Sequence, residues 1–201
     1  MPSAFIDTPA GHRIESSETL RVLGFYFDSS PSVHANMKIV QRKFKSRVWC
    51  LRHLKKNGFS TSELVKVYKT MIRPVAEYCS SVYHALITGV DTLEMERIQM
   101  QALKAIFGWR NSYSKLLELS GVDRLQDRRE EAFIKLARKM NENPRFAHCF
   151  PRRLYRDGVQ IRRTEKYKIY KASTGRCLNS PLNLMRRKLN ELDELGLLNA
   201  E

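Results

Sequence analysis

Apolar residues return every three or four positions along most of this chain; the first 28 residues depart from that rhythm, and so does the stretch from Asn143, broken by Pro144, Pro151 and Gly158. Ala4 to Ile6 and Arg13 to Ile14 flank a Pro9-Ala10-Gly11 turn, which predicts a short β-hairpin. Leu20 to Phe27, LRVLGFYF, is apolar and interrupted by Gly24, which predicts a strand with a bulge or a close backbone approach at the glycine. So few strands do not make a stable sheet alone. They are expected to lie on the helices downstream, or on a sheet that this chain does not contain.

Residues 32–56 predict a long amphipathic helix. Ser30 is its candidate N-cap, Pro31 suits the first turn and Gly58 supplies the stop. Met37, Val40, Phe44, Val48, Leu51 and Leu54 form one apolar stripe. The stretch Ser60 to Tyr83 opens with a capping box, Ser60 and Glu63. Leu64, Tyr68, Met71, Ile72 and Val75 then repeat at helical spacing, with Pro74 inside the pattern. An interior proline costs about 3 kcal/mol, so this stretch predicts a bent, buried hub. Asp91, with Glu94 three residues on, is the expected N-cap of a helix over 92–107. That helix is apolar on two sides and hence buried between layers, with methionines as packing and Gly108 as its end. Ser112 to Leu119 predicts a short helix closed by Gly121, and Asp123 is placed as the cap of a helix over 124–142. Its inner face is Leu125, Ala132, Phe133, Leu136, Ala137 and Met140. Its mixed charges, Arg128, Arg129, Arg138 and Lys139 against Asp127, Glu130 and Glu131, read as structural. Ser180-Pro181 opens a last helix with the stripe Leu182, Met185, Leu189, Leu192, which docks on the bundle or holds a partner.

The pattern predicts a mainly α protein with a short β edge at its N-terminus. It divides into four segments: a β segment over 1–28, a helical bundle over 29–110, a helical extension over 111–142, and a basic Arg/Tyr-rich segment with a terminal helix over 143–201.

Composition adds a partner class. Among 201 residues, 36 Lys and Arg face 21 Asp and Glu, for a formal net charge of +15. Such an excess suits a polyanion, of which nucleic acid is the commonest. No acidic residue stands between Asp28 and Glu63, where Lys38, Arg42, Lys45, Arg52 and Lys56 share one helix face with Trp49. A face meant only for solvation mixes its signs; an unbalanced one with an aromatic suits a phosphate backbone better than it suits a snorkelling tryptophan. A second basic stretch holds Arg152, Arg153, Arg156, Arg162, Arg163, Lys166, Lys168 and Lys171, with Tyr155, Tyr167 and Tyr170 between them. It reads equally as a grip on nucleic acid or as a loose linker.

Catalytic and metal motifs do not emerge. Cys50, Cys79, Cys149 and Cys177 are scattered, which suggests reduced thiols, and the five histidines show no ligand spacing. No phosphate loop, nucleophile elbow or Asp-Asp pair is present, and Asp7 and Asp28 read as turn residues. The expectation is a chain without cofactor or metal, not an enzyme on its own. Without a membrane-length apolar run or a signal core it is expected to be intracellular, nuclear or cytoplasmic, with no membrane partner.

Several residues in order resemble the reverse transcriptases of non-LTR (LINE-type) retrotransposons. Leu23-Gly24, with His34 at the head of a basic helix, resembles that family's palm–thumb junction. Tyr68 with Arg73-Pro74-Val75-Ala76-Glu77-Tyr78 is similar to its R-P-x-x-E-Y element. Ile98-Gln99, Gly108, Leu125-x-x-Arg128-Arg129, Ser180-Pro181 and Leu189-Asn190 continue the likeness over about residues 18–190. The resemblance implies a truncated piece of such an RNA-directed DNA polymerase: a palm edge, a thumb-like bundle and the region downstream of the thumb. It implies template–primer RNA, DNA or hybrid as partner, together with the missing polymerase part. It places Leu23 and Gly24 near a primer grip and the basic helix with Lys38, Arg42, Lys45, Trp49, Arg52 and Lys56 against the template–primer duplex; Arg152, Arg153, Arg162 and Arg163 are candidate nucleic-acid contacts from the charge of their own stretch. The fingers, the Y-x-D-D aspartates that hold magnesium, the endonuclease and the zinc knuckle have no counterpart in the sequence. The alternatives are a helical protein–protein interaction module and a non-functional pseudogene product.

Overall fold

A computed structural model describes residues 5–9, 11–15, 17–28, 32–152, 165–171 and 173–197. It is mainly helical, with 66% helix and 7% strand. The first hairpin forms where its turn residues predict, β1 (Phe5–Asp7) antiparallel to β2 (Arg13–Glu15) with Ile6 opposite Ile14.

LRVLGFYF is not one strand. The chain reverses inside it, and β3 (Thr19–Val22) pairs antiparallel with β4 (Phe25–Asp28), Val22 opposite Phe25. Leu23 and Gly24 alone make the turn, with φ of 48° and 84°. Two positive φ values are what a type I′ turn demands. Glycine accepts this and leucine resists it, so the usual Asn-Gly signal is missing and the reversal is hidden. Phe25 is buried in the core, and the Tyr26 N–H donates to Asn36 Oδ1 at 3.3 Å. The second hairpin thereby lies on the first helix.

That helix, α1 (His34–Lys56), starts two residues later than expected and has no side-chain N-cap. Ser30 and Pro31, expected to open it, lie outside the described residues. The Asp28 carboxylate stands in, accepting from Ser32 Oγ at 2.7 Å and from the Ala35 N–H at 3.4 Å, an anion at the positive end of the helix. Met37, Val40, Phe44, Val48 and Leu51 are buried, with Leu54 packed at the edge.

The hub departs from its expected form. α2 (Thr61–Val67) carries the predicted capping box. Tyr68–Ile72 then widens into a π-turn, with the Arg73 N–H reaching the Tyr68 carbonyl, before α3 (Arg73–Glu77) resumes. Pro74 therefore falls in the first turn of a renewed helix, where its missing N–H costs little. Pro74 itself is exposed. The wider turn also changes the buried set to Leu64, Tyr68, Ile72 and Ala76, and leaves Met71 60% exposed. After α4 (Ser80–Tyr83), helix α5 (Gly89–Phe107) begins earlier than expected, because Thr88 rather than Asp91 caps it. Asp91 sits inside the first turn, buried, where it accepts from Thr88 Oγ1 at 2.7 Å and from Gln41 Nε2 at 3.0 Å.

α6 (Tyr113–Ser120) runs between Ser112 and Gly121 as predicted. α7 (Leu125–Glu142) has Arg124 at its N-cap position and no side-chain cap. Asp123 instead gives its backbone carbonyl to Gln99 Nε2 at 2.9 Å, while its carboxylate lies 3.7 Å from Arg128. The charges of α7 are answered across the bundle more than along it. Arg128 pairs with Glu77, and buried Arg129 donates to Thr92 Oγ1 at 3.1 Å.

Two apolar clusters result. One gathers Phe25, α1, the hub, α5, α6 and Leu125; the other gathers Phe133 and Ala137 of α7 with Phe150, Tyr167, Met185 and Leu189. α7 serves both, so the packing does not divide at 110 or at 142. After a 3₁₀ turn over Pro144–Cys149 and α8 (Gly175–Leu178), the last helix α9 (Pro181–Glu194) docks back through Met185 and Leu189, with Leu182 left exposed. Its Asn183, Arg186 and Asn190 are buried as well. Asn190 bonds both the N–H and the carbonyl of Tyr167, at 2.8 and 3.0 Å, and Asn183 does the same for Tyr170. Side-chain amides thus replace a strand partner for this segment.

Candidate nucleic-acid interface

The apolar stripe of α1 fixes which residues face outward. With that stripe buried, Lys38, Arg42, Lys45, Trp49, Arg52 and Lys56 are all exposed. Their spacing of four and three in alternation draws one line along the helix, about 27 Å long at 1.5 Å per residue. Lys45 alone of the line has an ion-pair partner among the described residues, Glu94 of α5 at 2.6 Å. The sequence could not show that partner, since it arrives from another helix. Trp49 stacks on His53, with centroids 5.4 Å apart and planes within 16°.

The C-terminal end of this ridge gains residues that sequence spacing did not bring together. Lys55 Nζ donates to the Ile106 carbonyl at 2.6 Å and ties the ends of α1 and α5 together. Gly108, at φ 97°, turns the chain out of α5. Trp109 then arrives beside α1, 63% exposed, with the Arg52 guanidinium 5.9 Å and Lys104 Nζ 5.6 Å from its ring centre. The signal that could have found it was an aromatic directly after a helix-ending glycine, between Lys104 and Arg110.

Leu23 and Gly24 do not join the ridge. The Tyr78 hydroxyl donates to the Leu23 carbonyl, and the Leu23 side chain projects 88% exposed. Gly24 lines a groove of about 500 Å³ between α1 and the hub, with Lys43, Arg47, Met71, Pro74 and Tyr78. Lys43 and Arg47 leave α1 roughly 140° and 180° around from Lys38. The predicted primer-grip-like pair and the predicted basic line therefore occupy different sides of the helix. In the groove Arg47 is held by a 2.7 Å bond to the Met71 carbonyl.

In the second basic stretch, Arg152 is exposed and pairs with Tyr167 through an isolated antiparallel bridge. Arg153, Arg162 and Arg163 lie outside the described residues, as do Tyr155 and Arg156. The Tyr167 ring is buried in the second core and so is not offered for stacking. Tyr170 is half-exposed under Arg186, 4.6 Å from the ring centre.

Several of the perturbed groups belong to the interior. Burial pushes the Tyr68 and Tyr113 hydroxyls up, and Tyr83 up to about 12. Burial, with Arg129 nearby, brings His84 down to about 4. Tyr68 donates to Gln99 Oε1 at 2.6 Å, and Gln99 Nε2 donates to Tyr113 at 2.9 Å, so these groups order the core. Among the described residues no three His, Cys, Asp or Glu gather to hold a metal ion, and no helix is long and apolar enough to cross a membrane. The arrangement offers a linear cationic surface edged by two tryptophans. No family model, curated protein or solved structure matches the chain.

Proposed function

We propose that the chain binds nucleic acid, laying the α1 ridge along the phosphates of RNA, DNA or their hybrid, in the manner of the thumb region of a non-LTR reverse transcriptase. The carrying observation is the ridge: six aligned exposed residues, five of them cationic, with one answered charge. The thumb comparison draws support from the residues that resemble that family, because they pack on one another. Tyr68 bonds Gln99, Glu77 pairs Arg128, and Tyr78 bonds Leu23. They act as joints of the scaffold, and polymerisation is not assigned to this chain.

The test is binding of labelled RNA, duplex DNA and hybrid across a salt series. Lys38→Ala, Arg42→Ala and Lys56→Ala combined should weaken binding. For duplex DNA they should also flatten the slope of log K against log salt by about 0.9 for each phosphate no longer neutralised. Lys43→Ala with Arg47→Ala, in the groove, should leave that slope nearly unchanged. Binding that ignores salt, or a ridge variant that binds as tightly as the parent, overturns the reading.

A second reading has one observation in its favour. Leu20, Val22 and Leu23 of the second hairpin are exposed apolar residues, as a protein-pairing edge would have. A tight oligomer in light scattering, indifferent to nucleic acid, would select it. The α9 stripe does not support that reading, since Met185 and Leu189 are buried within the chain.

A further inference from the structure

The ridge has two ends of different character. Toward its N-terminus it offers cations alone, Lys38 and Arg42. Toward its C-terminus Trp49 interrupts the row, and Arg52 reaches from it to the Trp109 ring. Both tryptophans are 63% exposed in an arrangement that fixes them: Trp49 against His53, Trp109 by the Gly108 turn and the Lys55 to Ile106 bond. Beside cations that track phosphates, an indole face adds a surface for stacking. A base plane fits that surface, but inside a duplex both faces of each base are covered by its neighbours. Apart from the pair at a duplex end, unpaired bases present the free faces, and stacking on an aromatic ring beside cations is how single strands are held without regard to sequence.

Resting on the nucleic-acid reading above, we infer that Trp49 and Trp109 form a stacking site for unpaired bases, so that the ligand is nucleic acid with a single-stranded stretch adjoining its duplex. The Lys38–Arg42 end takes the duplex backbone, and the single strand leaves over Arg52 and Trp109. Arg52 and Lys104 hold the phosphates that flank the stacked bases.

The chain contains two tryptophans and both lie in this site, so fluorescence excited selectively at tryptophan reports on it alone. Titration with a blunt duplex, with the same duplex carrying a single-stranded overhang, and with the single strand gives three curves. The overhang substrate should bind about tenfold tighter than the blunt one and should quench the emission. Trp109→Ala should remove most of that preference; Trp109→Tyr, which keeps a stacking ring, should restore it. Trp49→Phe should leave a quenchable signal from Trp109. Both side chains are exposed, so the variants keep the core, which circular dichroism checks. Salt-dependent, ridge-dependent binding with no overhang preference and no quenching overturns the stacking site while leaving the ridge. Absence of all binding overturns both.

Discussion

Leu23 plays no part in the core, being 88% exposed, yet it holds a left-handed backbone that costs an ordinary L-residue about 1–2 kcal/mol. Leu23→Asn should therefore raise stability by up to about 1 kcal/mol, measured by denaturant unfolding, because asparagine tolerates that conformation. An unchanged or lower stability would show that the exposed leucine is held by something other than the turn. At this scale some residues are legible in the sequence and others are not. The Ser60–Glu63 capping box, the Ser112 cap and the Gly121 stop act within a few residues of themselves, so spacing finds them. Asp91 and Asp123 read as caps yet serve elsewhere, because Thr88, Gln41, Gln99 and Arg128 compete for them. Gln41 and Gln99 come from helices far along the chain from the aspartates they reach. Trp109 escapes notice for the same reason: its neighbour Arg52 belongs to another helix.

Among the elements, the π-turn over Tyr68–Ile72 has a direct test. A π-turn holds one residue more than the α-turn it replaces. Deleting exposed Met71 should convert it to α-helix and keep the flanks in phase, with a small change in melting temperature. Deleting Lys66, within α2, should rotate Tyr68, Ile72 and Ala76 off the core and unfold the protein. Equal damage from both deletions would mean that the π-turn is not an inserted residue. The periodicity of the hub reads as α-helical because steps of four suit either turn, and Met71 and Val75 fit the α version. Pro74 signals that something changes here; only the packed neighbours determine that the change is a wide turn. In α9 the apolar stripe is legible, but its asparagines are not, because a buried amide and a solvated one look alike in sequence. Their meaning lies in the Tyr167 and Tyr170 backbone that they satisfy.

For the whole molecule, the seam between the two clusters carries an acid sensitivity. His84 packs against Phe133 at 4.6 Å between ring centres, its Nδ1 without a hydrogen-bond partner, facing Arg129, Glu130 and Lys188. Folded, it takes a proton only near pH 4; unfolded, near its ordinary 6.5. The unfolded chain thus binds more protons throughout that window, and stability is lost as pH falls from about 6.5 toward 4. His84→Gln should flatten the pH dependence of the melting temperature there, and an undiminished slope would assign it to other groups. The net charge of +15 acts at this scale also, and makes any nucleic-acid affinity steeply dependent on salt.

The sequence by itself determined the helices α1, α5, α6, α7 and α9, most of their stops, the apolar stripe of α1 and, through that stripe, the line of cations on its exposed side. These arise from periodicity and local capping, whose partners are within a turn or two. The tertiary structure alone decided that LRVLGFYF reverses, that Gly24 lines a groove away from the ridge, that Lys45 is answered by Glu94, and that Trp109 meets Arg52 at one end of the ridge. Each of these depends on the packing of separate elements against one another, or on a turn whose residues carry no turn signal, and spacing along the chain records neither.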